Sequence, residues 1–204
     1  KDFLDVMVSS ISDNGGRSCV NASAVIVPKY GREIADALGE RLGPLSPLPV
    51  DDPNAVLSGF ANPKMGEWIN STLESDLAEK GAYDATAPFR NGSRLLEAEG
   101  GTYLRPTIVH CDSMEHVLAN REFLCPYASV VEVPQAEMLR SIGPTLVVTA
   151  ITKDEYFKRQ LLGASNVERL NIGPISTMKI SWDQPHEGNM FEFLYKRRSI
   201  GMAA

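Results

Sequence analysis

The stretch from residue 22 to residue 42 has the sequence ASAVIVPKYGREIADALGERL. Its first seven residues are mostly small or β-branched, which predicts a short strand buried on both faces of a sheet. From residue 30 onward, apolar residues fall on one stripe of a helix and charged residues fall on the opposite stripe. A buried strand followed by an amphipathic helix is typical of a parallel sheet, because the return to a parallel neighbour needs a crossover connection.

Strand and helix patterns alternate along the rest of the chain. The patterns predict helices over 3–11, 64–80, 113–122, 135–141 and 153–162, and strands at about 104–110, 128–133, 145–151 and 167–172. Five prolines between Gly43 and Pro63 remove backbone donors, and we expect irregular structure there and a loop over 82–101. The fold class is therefore α/β, with a largely parallel sheet and helices on both of its faces.

Composition excludes several classes of protein. The 204 residues carry 20 Lys and Arg against 26 Asp and Glu, a net charge of −6, which argues against a general nucleic-acid binder. No apolar run approaches the roughly 18 residues of a membrane span. Three cysteines are too few for a disulfide framework, and we expect a reducing, cytoplasmic compartment.

Cys19 is the candidate nucleophile because it follows a glycine loop. It ends the sequence Asn14-Gly15-Gly16-Arg17-Ser18-Cys19. Glycines let the backbone pass close to a ligand and expose amide hydrogens to a developing oxyanion. We expect Arg17 to place a cation near the sulfur and so favour the reactive thiolate. The opposite interpretation is that Cys19 is a small buried hydrophobic residue, as free cysteines usually are.

Other candidate groups give weaker indications. His110, Cys111 and His116 do not predict a metal site, since neighbouring residues on a strand point to opposite faces. His186 stands beside Glu187 and could serve Cys19 as a base, which would indicate a cysteine-dependent hydrolase or acyl transferase. An ordinary surface histidine is the other interpretation. No Gly-x-Gly-x-x-Gly follows a strand, so the chain carries no dinucleotide fingerprint of its own.

Residues 14–19, 100–108, 121–126 and 167–171 occur in the same order as four motifs of the aldehyde dehydrogenase superfamily and resemble them. Residues 14–19 keep the Asn, Gly and Cys of the family pattern Asn-x-Gly-Gln-x-Cys, with Arg17 in place of Gln. Residues 100–108, GGTYLRPTI, are similar to the family's Gly-Gly, Tyr and Pro-Thr stretch, and residues 121–126, REFLCP, are similar to its Glu-x-Phe-Gly-Pro. Residues 167–171, VERLN, resemble the family strand that ends in Asn.

The resemblance implies oxidation of an aldehyde with NAD or NADP. The Cys19 thiolate would add to the carbonyl to give a thiohemiacetal, and hydride transfer to the nicotinamide would leave a thioester for release by water or another acceptor. The resemblance assigns Cys19 and Asn14 to catalysis, Glu122 and Leu124 to cofactor binding, and no residue to a metal. The family's dinucleotide-binding domain, general-base Glu and oxyanion Asn lie upstream of Lys1. We therefore expect residues 1–204 to be one catalytic domain, part of a longer protein and inactive alone.

The C-terminal segment is predicted to assemble subunits. Residues 191–200, FEFLYKRRSI, resemble the family's oligomerisation strand, and we expect a homo-oligomer formed through residues 190–200. Three alternatives to aldehyde oxidation stay open. The chain could be a non-catalytic assembly domain of the same fold, a cysteine-dependent acyl transferase or hydrolase, or an enzyme that reduces an acyl group to an aldehyde.

Overall fold

The computed structural model describes residues 3–181 and residue 186 of the chain. Within that part the helices are α1 Leu4–Ser12, α2 Gly31–Leu42, α3 Pro63–Leu77, α4 Gln135–Ile142 and α5 Glu155–Leu162. The strands are β1 Ala24–Val27, β2 Ala82–Asp84, β3 Leu95–Ala98, β4 Gly101–Leu104, β5 Thr107–Cys111, β6 Tyr127–Glu132, β7 Thr145–Ala150 and β8 Val167–Ile172. The predicted terminal strand, residues 190–200, lies outside the described residues.

The main sheet has the strand order β1-β6-β5-β2. Strands β1, β6 and β5 run parallel, and β2 adds an antiparallel edge. Strands β7 and β8 form a second parallel pair, and β3 and β4 form an antiparallel hairpin. The α/β class with a largely parallel sheet is thereby confirmed.

Helices cover both faces of the main sheet, because successive residues of its central strands point in opposite directions. Ile108 and Val130 belong to one buried cluster, which they share with residues of α1 and α2: Ile11, Ala35, Leu38 and Leu42. Val109 and Val131 belong to a second cluster, which contains residues of α3, α4 and α5: Ile69, Leu73, Met138, Phe157 and Leu161. Each fully buried aliphatic side chain of this kind stabilises the fold by about 1.5–3 kcal/mol.

The loop predicted over 82–101 is wrong in part, since this segment contains β2 and β3, whereas residues 85–94 belong to neither strand. In the described part of the chain, β2 pairs with β5, and β3 pairs with β4 in a hairpin whose turn includes Gly100, a residue with positive φ. Strands of three and four residues give little alternation to recognise in the sequence. Cross-strand pairing, more than the preference of each short segment, forms them.

Two other predicted elements differ in extent. The strand expected at about 104–110 is divided between β4, which ends at Leu104, and β5, which begins at Thr107. Pro106 lies in the gap and has no N–H to offer a ladder. The helix expected over 113–122 is reduced to a single 3-10 turn, Val117–Asn120. His116 caps that turn, because its Nδ1 accepts a hydrogen bond from the N–H of Leu118 at 3.2 Å.

Candidate active site

The loop that carries Cys19 reverses the chain at the end of α1. After Ser12 a 3-10 turn spans Asp13–Gly16, and three successive residues in it have positive φ: Asn14 at 56°, Gly15 at 64° and Gly16 at 65°. Glycine adopts this conformation without strain, and asparagine tolerates it better than most residues. The tight glycine loop predicted from the sequence is thus present, directly before the cysteine.

Gly16 lets this loop lie against the backbone that precedes β6. A Cβ atom at Gly16 would stand 2.4 Å from the nitrogen of Pro126 and 2.5 Å from the carbonyl carbon of Cys125. Both distances are far below a van der Waals contact, and the obstructing atoms are backbone. The position therefore excludes every side chain, and the close approach holds the Cys19 loop beside residues 125–126.

Asn21 fixes the loop from the other side. Its Nδ2 donates hydrogen bonds to the carbonyl oxygens of Ser10 and Asp13, both at 3.0 Å, and its Oδ1 accepts one from the N–H of Ser18 at 2.7 Å. One amide thus joins the end of α1 to the residue before Cys19. The sequence analysis did not identify Asn21 as a site residue. Such a role could have been expected, because asparagine side chains commonly form hydrogen bonds with nearby backbone groups.

The topology explains why Cys19 and Glu122 meet. Strands β1 and β6 are parallel neighbours, with Ala24 opposite Ser129. Cys19 lies five residues before Ala24, the first residue of β1, and Glu122 lies five residues before Tyr127, the first residue of β6. Both segments therefore enter the sheet from the same edge, which brings two residues 103 positions apart in the sequence to one place.

A cleft of about 440 Å³ lies at this edge. Its lining comes from two segments, 16–23 and 122–127: Gly16, Arg17, Ser18, Cys19, Asn21, Ala22, Ser23, Glu122, Phe123, Leu124, Cys125 and Tyr127. Three of the predicted site residues, Cys19, Glu122 and Leu124, share this lining. Ser23 Oγ donates to Glu122 Oε1 at 3.4 Å, and the Leu124 side chain is 57% exposed.

The fourth predicted site residue, Asn14, has a different location. It is exposed and is not among the residues that line the cleft. Its carbonyl oxygen accepts a hydrogen bond from the N–H of Arg17 at 3.2 Å, which closes the 3-10 turn. The structure therefore gives Asn14 a part in shaping the loop.

Cys19 is exposed, whereas the other two thiols are buried. Burial raises the pKa of Cys111 to about 12, and it likewise raises the pKa of Cys125 to about 12. At neutral pH these two thiols are protonated and shielded from reagents. The interpretation of Cys19 as a buried hydrophobic residue does not agree with its exposure.

We expect iodoacetamide at neutral pH to alkylate Cys19 at least about 100-fold faster than Cys111 or Cys125 in the folded protein. A thiol with a pKa of about 12 is ionised in only about one molecule in 10⁵ at pH 7. Mass spectrometry of peptides after timed labelling measures the three rates. In denaturant, the three thiols should react alike. Equal rates in the folded protein would show that exposure in the structure does not describe reactivity.

The two arginines near the loop have different surroundings. Arg17 donates hydrogen bonds to the carbonyl oxygens of Ser58 at 2.8 Å and Gly59 at 2.9 Å, and its guanidinium lies 4.2 Å from the centre of the Phe60 ring. The two terminal nitrogens of Arg17 thus donate to the segment 58–60. The described residues show no hydrogen bond from Arg17 to Cys19.

The cation whose charge interacts with Cys19 is Arg169 of β8. Its side chain is 5% exposed, and it donates one hydrogen bond, from Nη2 to the carbonyl oxygen of Thr177. Its Nε and Nη1 are buried and have no hydrogen-bond partner in the described part of the chain. Burial lowers the pKa of Arg169, and the nearby Cys19 opposes that effect. The sequence analysis missed Arg169 as a site residue, although it lies in the segment 167–172 that the sequence predicts as a strand.

His186 contacts the candidate nucleophile directly. Its Nε2 lies 2.6 Å from the Cys19 Sγ, across 167 positions of sequence. An imidazole nitrogen in this place can accept the proton of a thiol or donate one to a thiolate. The sequence raised this pairing as an alternative, and the structure brings the two side chains together.

The described residues contain neither a candidate metal site nor a helix suited to crossing a membrane. Within residues 3–181 and residue 186, no group of three or more His, Cys, Asp or Glu side chains is placed to hold a metal ion. None of the helices described there combines the length and the apolar character that crossing a bilayer requires.

Comparison with solved structures identifies the fold. The chain matches lactaldehyde dehydrogenase from Escherichia coli with a TM-score of 0.74 and 18% sequence identity, over 90% of this chain and 38% of that one. It matches 1-pyrroline-5-carboxylate dehydrogenase from Thermus with bound NAD with a TM-score of 0.71 and 18% identity, over 92% and 35% of the two chains. It matches an aldehyde dehydrogenase from Bacillus cereus with a TM-score of 0.70 and 16% identity, over 86% of this chain and 35% of that one.

No protein-family model matches the chain, and no curated protein matches its sequence. At 16–18% identity, the likeness to these solved structures establishes a shared fold. The predicted resemblance is confirmed at that level. The chain spans 35–38% of the length of the three structures, so it has the fold of a part of these dehydrogenases.

Proposed function

We propose that the chain is the catalytic portion of an NAD(P)-dependent, aldehyde dehydrogenase-like oxidoreductase with Cys19 as its nucleophile. The observation that carries the proposal is one shared cleft. An exposed thiol and an exposed carboxylate, Cys19 and Glu122, line it together, although they come from segments far apart in the sequence. The dehydrogenase fold gives this arrangement its chemical context.

In this proposal the chain's own residues carry the covalent chemistry. The thiolate sulfur of Cys19 adds to the aldehyde carbonyl carbon, and the π electron pair moves onto the oxygen, where the Cys19 backbone N–H stabilises the charge. Loss of hydride from the carbon restores the carbonyl as a thioester. Attack by water or another acceptor then breaks the C–S bond and frees the thiol.

The cleft residues fit a nicotinamide nucleotide. The Glu122 carboxylate can accept hydrogen bonds from two ribose hydroxyls, and the exposed Leu124 offers an apolar surface to an aromatic ring. The nucleotide, when bound, accepts the hydride. We assign these two residues to holding it, whether NAD or NADP.

The full-length protein provides the direct test. Aldehydes of varied size and charge are offered with NAD or NADP, and the reduced nucleotide is followed by its absorbance. We expect oxidation of at least one class of aldehyde. No oxidation across the panel, with the protein folded, would favour the non-catalytic assembly domain instead.

We expect Glu122→Gln to raise the KM for NAD or NADP about tenfold in the full-length protein, with a smaller change in the KM for aldehyde. An amide accepts weaker hydrogen bonds than a carboxylate, and a charge-assisted bond contributes roughly 1.5–3 kcal/mol. Steady-state kinetics with each substrate varied in turn measure both constants. Glu115→Gln is the matched control, because Glu115 is exposed but lies outside the cleft lining. An unchanged nucleotide KM would contradict the assignment.

The contact between Cys19 and His186 favours a second candidate, acyl transfer or hydrolysis without a redox cofactor. The requirement for nucleotide separates the two functions. An enzyme of the first kind turns over aldehydes only with NAD or NADP, whereas an acyl transferase of the second kind turns over thioesters without either and leaves aldehydes unchanged.

We extend the proposal to assembly and location. Residues 190–200 would join subunits into a homo-oligomer, as their resemblance to the family's oligomerisation strand implies. The low cysteine content of the chain agrees with a cytoplasmic site of action.

A further inference from the structure

The Cys19 thiol has one titratable side chain in direct contact among the described residues, and that side chain is His186. The 2.6 Å between Sγ and Nε2 leaves no room for a bridging water molecule. A proton can therefore pass between sulfur and nitrogen without an intermediary. Free imidazole titrates near neutral pH, which makes it the side chain best suited to take a thiol proton under physiological conditions.

Other titratable side chains surround the thiol: Arg17, Glu122, Cys125, Tyr127 and Arg169. None of them competes for the proton. Burial raises the pKa of both Cys125 and Tyr127, so these two remain protonated at neutral pH. The Glu122 carboxylate accepts from Ser23, and the Arg17 guanidinium donates to Ser58 and Gly59.

Arg169 of β8 adds a buried positive charge that interacts with Cys19. Its guanidinium is buried with two nitrogens, Nε and Nη1, unpartnered in the described part of the chain, and no carboxylate described there forms an ion pair with it. A buried cation without a counter-ion is costly, and a negative charge forming nearby reduces that cost. A thiolate at Cys19 would be such a charge, since Cys19 and Arg169 interact electrostatically.

We propose that His186 is the catalytic base of this site for Cys19. The S–H bond breaks, its electron pair stays on sulfur, and the proton forms a new N–H bond at Nε2, giving a thiolate beside an imidazolium. When the thiolate adds to a carbonyl, the proton stays on the imidazolium and is available for return to sulfur when the C–S bond breaks and the thiol is regenerated. The inference rests on the proposed role of Cys19 as nucleophile, which both candidate functions share, and it requires no nucleotide.

The test is the pH profile of Cys19 alkylation by iodoacetamide in the full chain, for the wild type, His186→Asn and His186→Gln. At about pH 6 an unpaired thiol is almost wholly protonated, while a thiol paired with imidazole keeps much of its thiolate. Each paired thiolate reacts more slowly than a free one, which offsets part of that advantage. We expect both variants to react about tenfold more slowly than the wild type at about pH 6, and as fast or faster at about pH 10.

The decisive feature is that the pH profile of each variant crosses that of the wild type. A merely structural role for His186 would lower the alkylation rate of Cys19 by the same factor at every pH. Such a constant ratio, or identical profiles, would overturn the proposal. His116→Asn is the matched control, since it removes an imidazole outside the cleft and asparagine can replace the cap that His116 provides. A crossing profile in a protein that oxidises no aldehyde would support this inference and overturn aldehyde oxidation, so the two failures are distinguishable.

Discussion

Replacing Cys19 by serine is expected to lower the kcat/KM for aldehyde oxidation by the full-length protein at least about 10³-fold. A serine hydroxyl is far less nucleophilic than a thiolate, and the two cations near the sulfur, Arg169 and protonated His186, cannot ionise an alcohol at neutral pH. The reduced nucleotide measures the rate. Mass spectrometry after rapid quenching should find acyl-enzyme on the wild type and none on the variant.

Cys111→Ala is the control for this substitution. Cys111 is completely buried in the core cluster that contains Ile69 and Leu73 of α3 and is not among the residues that line the cleft, so its replacement should lower stability slightly and leave turnover unchanged. If Cys19→Ser kept more than about a tenth of the wild-type rate, covalent catalysis through this sulfur would be excluded.

The second large effect is expected at Gly16. A Cβ atom there would overlap the backbone of Cys125 and Pro126, and a residue other than glycine at φ +65° carries its own strain. We expect Gly16→Ala to lower the free energy of unfolding by about 2–4 kcal/mol, the sum of backbone strain and overpacking. The displaced loop moves the thiol, and a shift near 1 Å is enough to reduce kcat about 10²-fold.

Chemical denaturation and steady-state kinetics measure the two effects of Gly16→Ala. Gly163→Ala is its matched control, because Gly163 has φ −90° and an added Cβ would find its nearest neighbour, the Arg159 oxygen, at 3.6 Å. That variant should be as stable as the wild type or slightly more so. A Gly16→Ala protein with wild-type stability would contradict this expectation, because it would show that the backbone at residues 125–126 moves aside at little cost in free energy.

The sequence predicts well those helices and strands whose pattern is visible within a single segment of the chain. The strand and helix of residues 22–42 appear as β1 and α2 because the β-branched run of the one and the helical period of the other are each visible within a few residues. Strands β2 and β3 lack such a signal, since β2 depends on its pairing with the distant strand β5, and β3 depends on its pairing with β4 across the turn at Gly100. Pairing of this kind is decided by the folded chain and not by local preference.

The same distinction applies to the cleft. Cys19 and its glycine turn form one continuous motif, and the motif containing Glu122 is equally compact, so both are visible in the sequence. Asn21, Arg169 and the contact with His186 depend on segments that meet only after folding. The cation expected from Arg17 is directed at residues 58–60 instead, because its terminal nitrogens donate to the carbonyl oxygens of that loop and its guanidinium stacks on the Phe60 ring.

The pairing of β1 with β6 has a consequence for the durability of the site. The thiol and the carboxylate each lie five residues ahead of their strand, so the hydrogen-bond ladder that joins Ala24–Val27 of β1 to β6 keeps the segments that carry them at one edge of the sheet. A slip of two positions along that ladder would move one segment relative to the other by about 7 Å, more than twice the length of a hydrogen bond. Protection of these amides from deuterium exchange would thus report whether the two segments that line the cleft are held together, even with no substrate present.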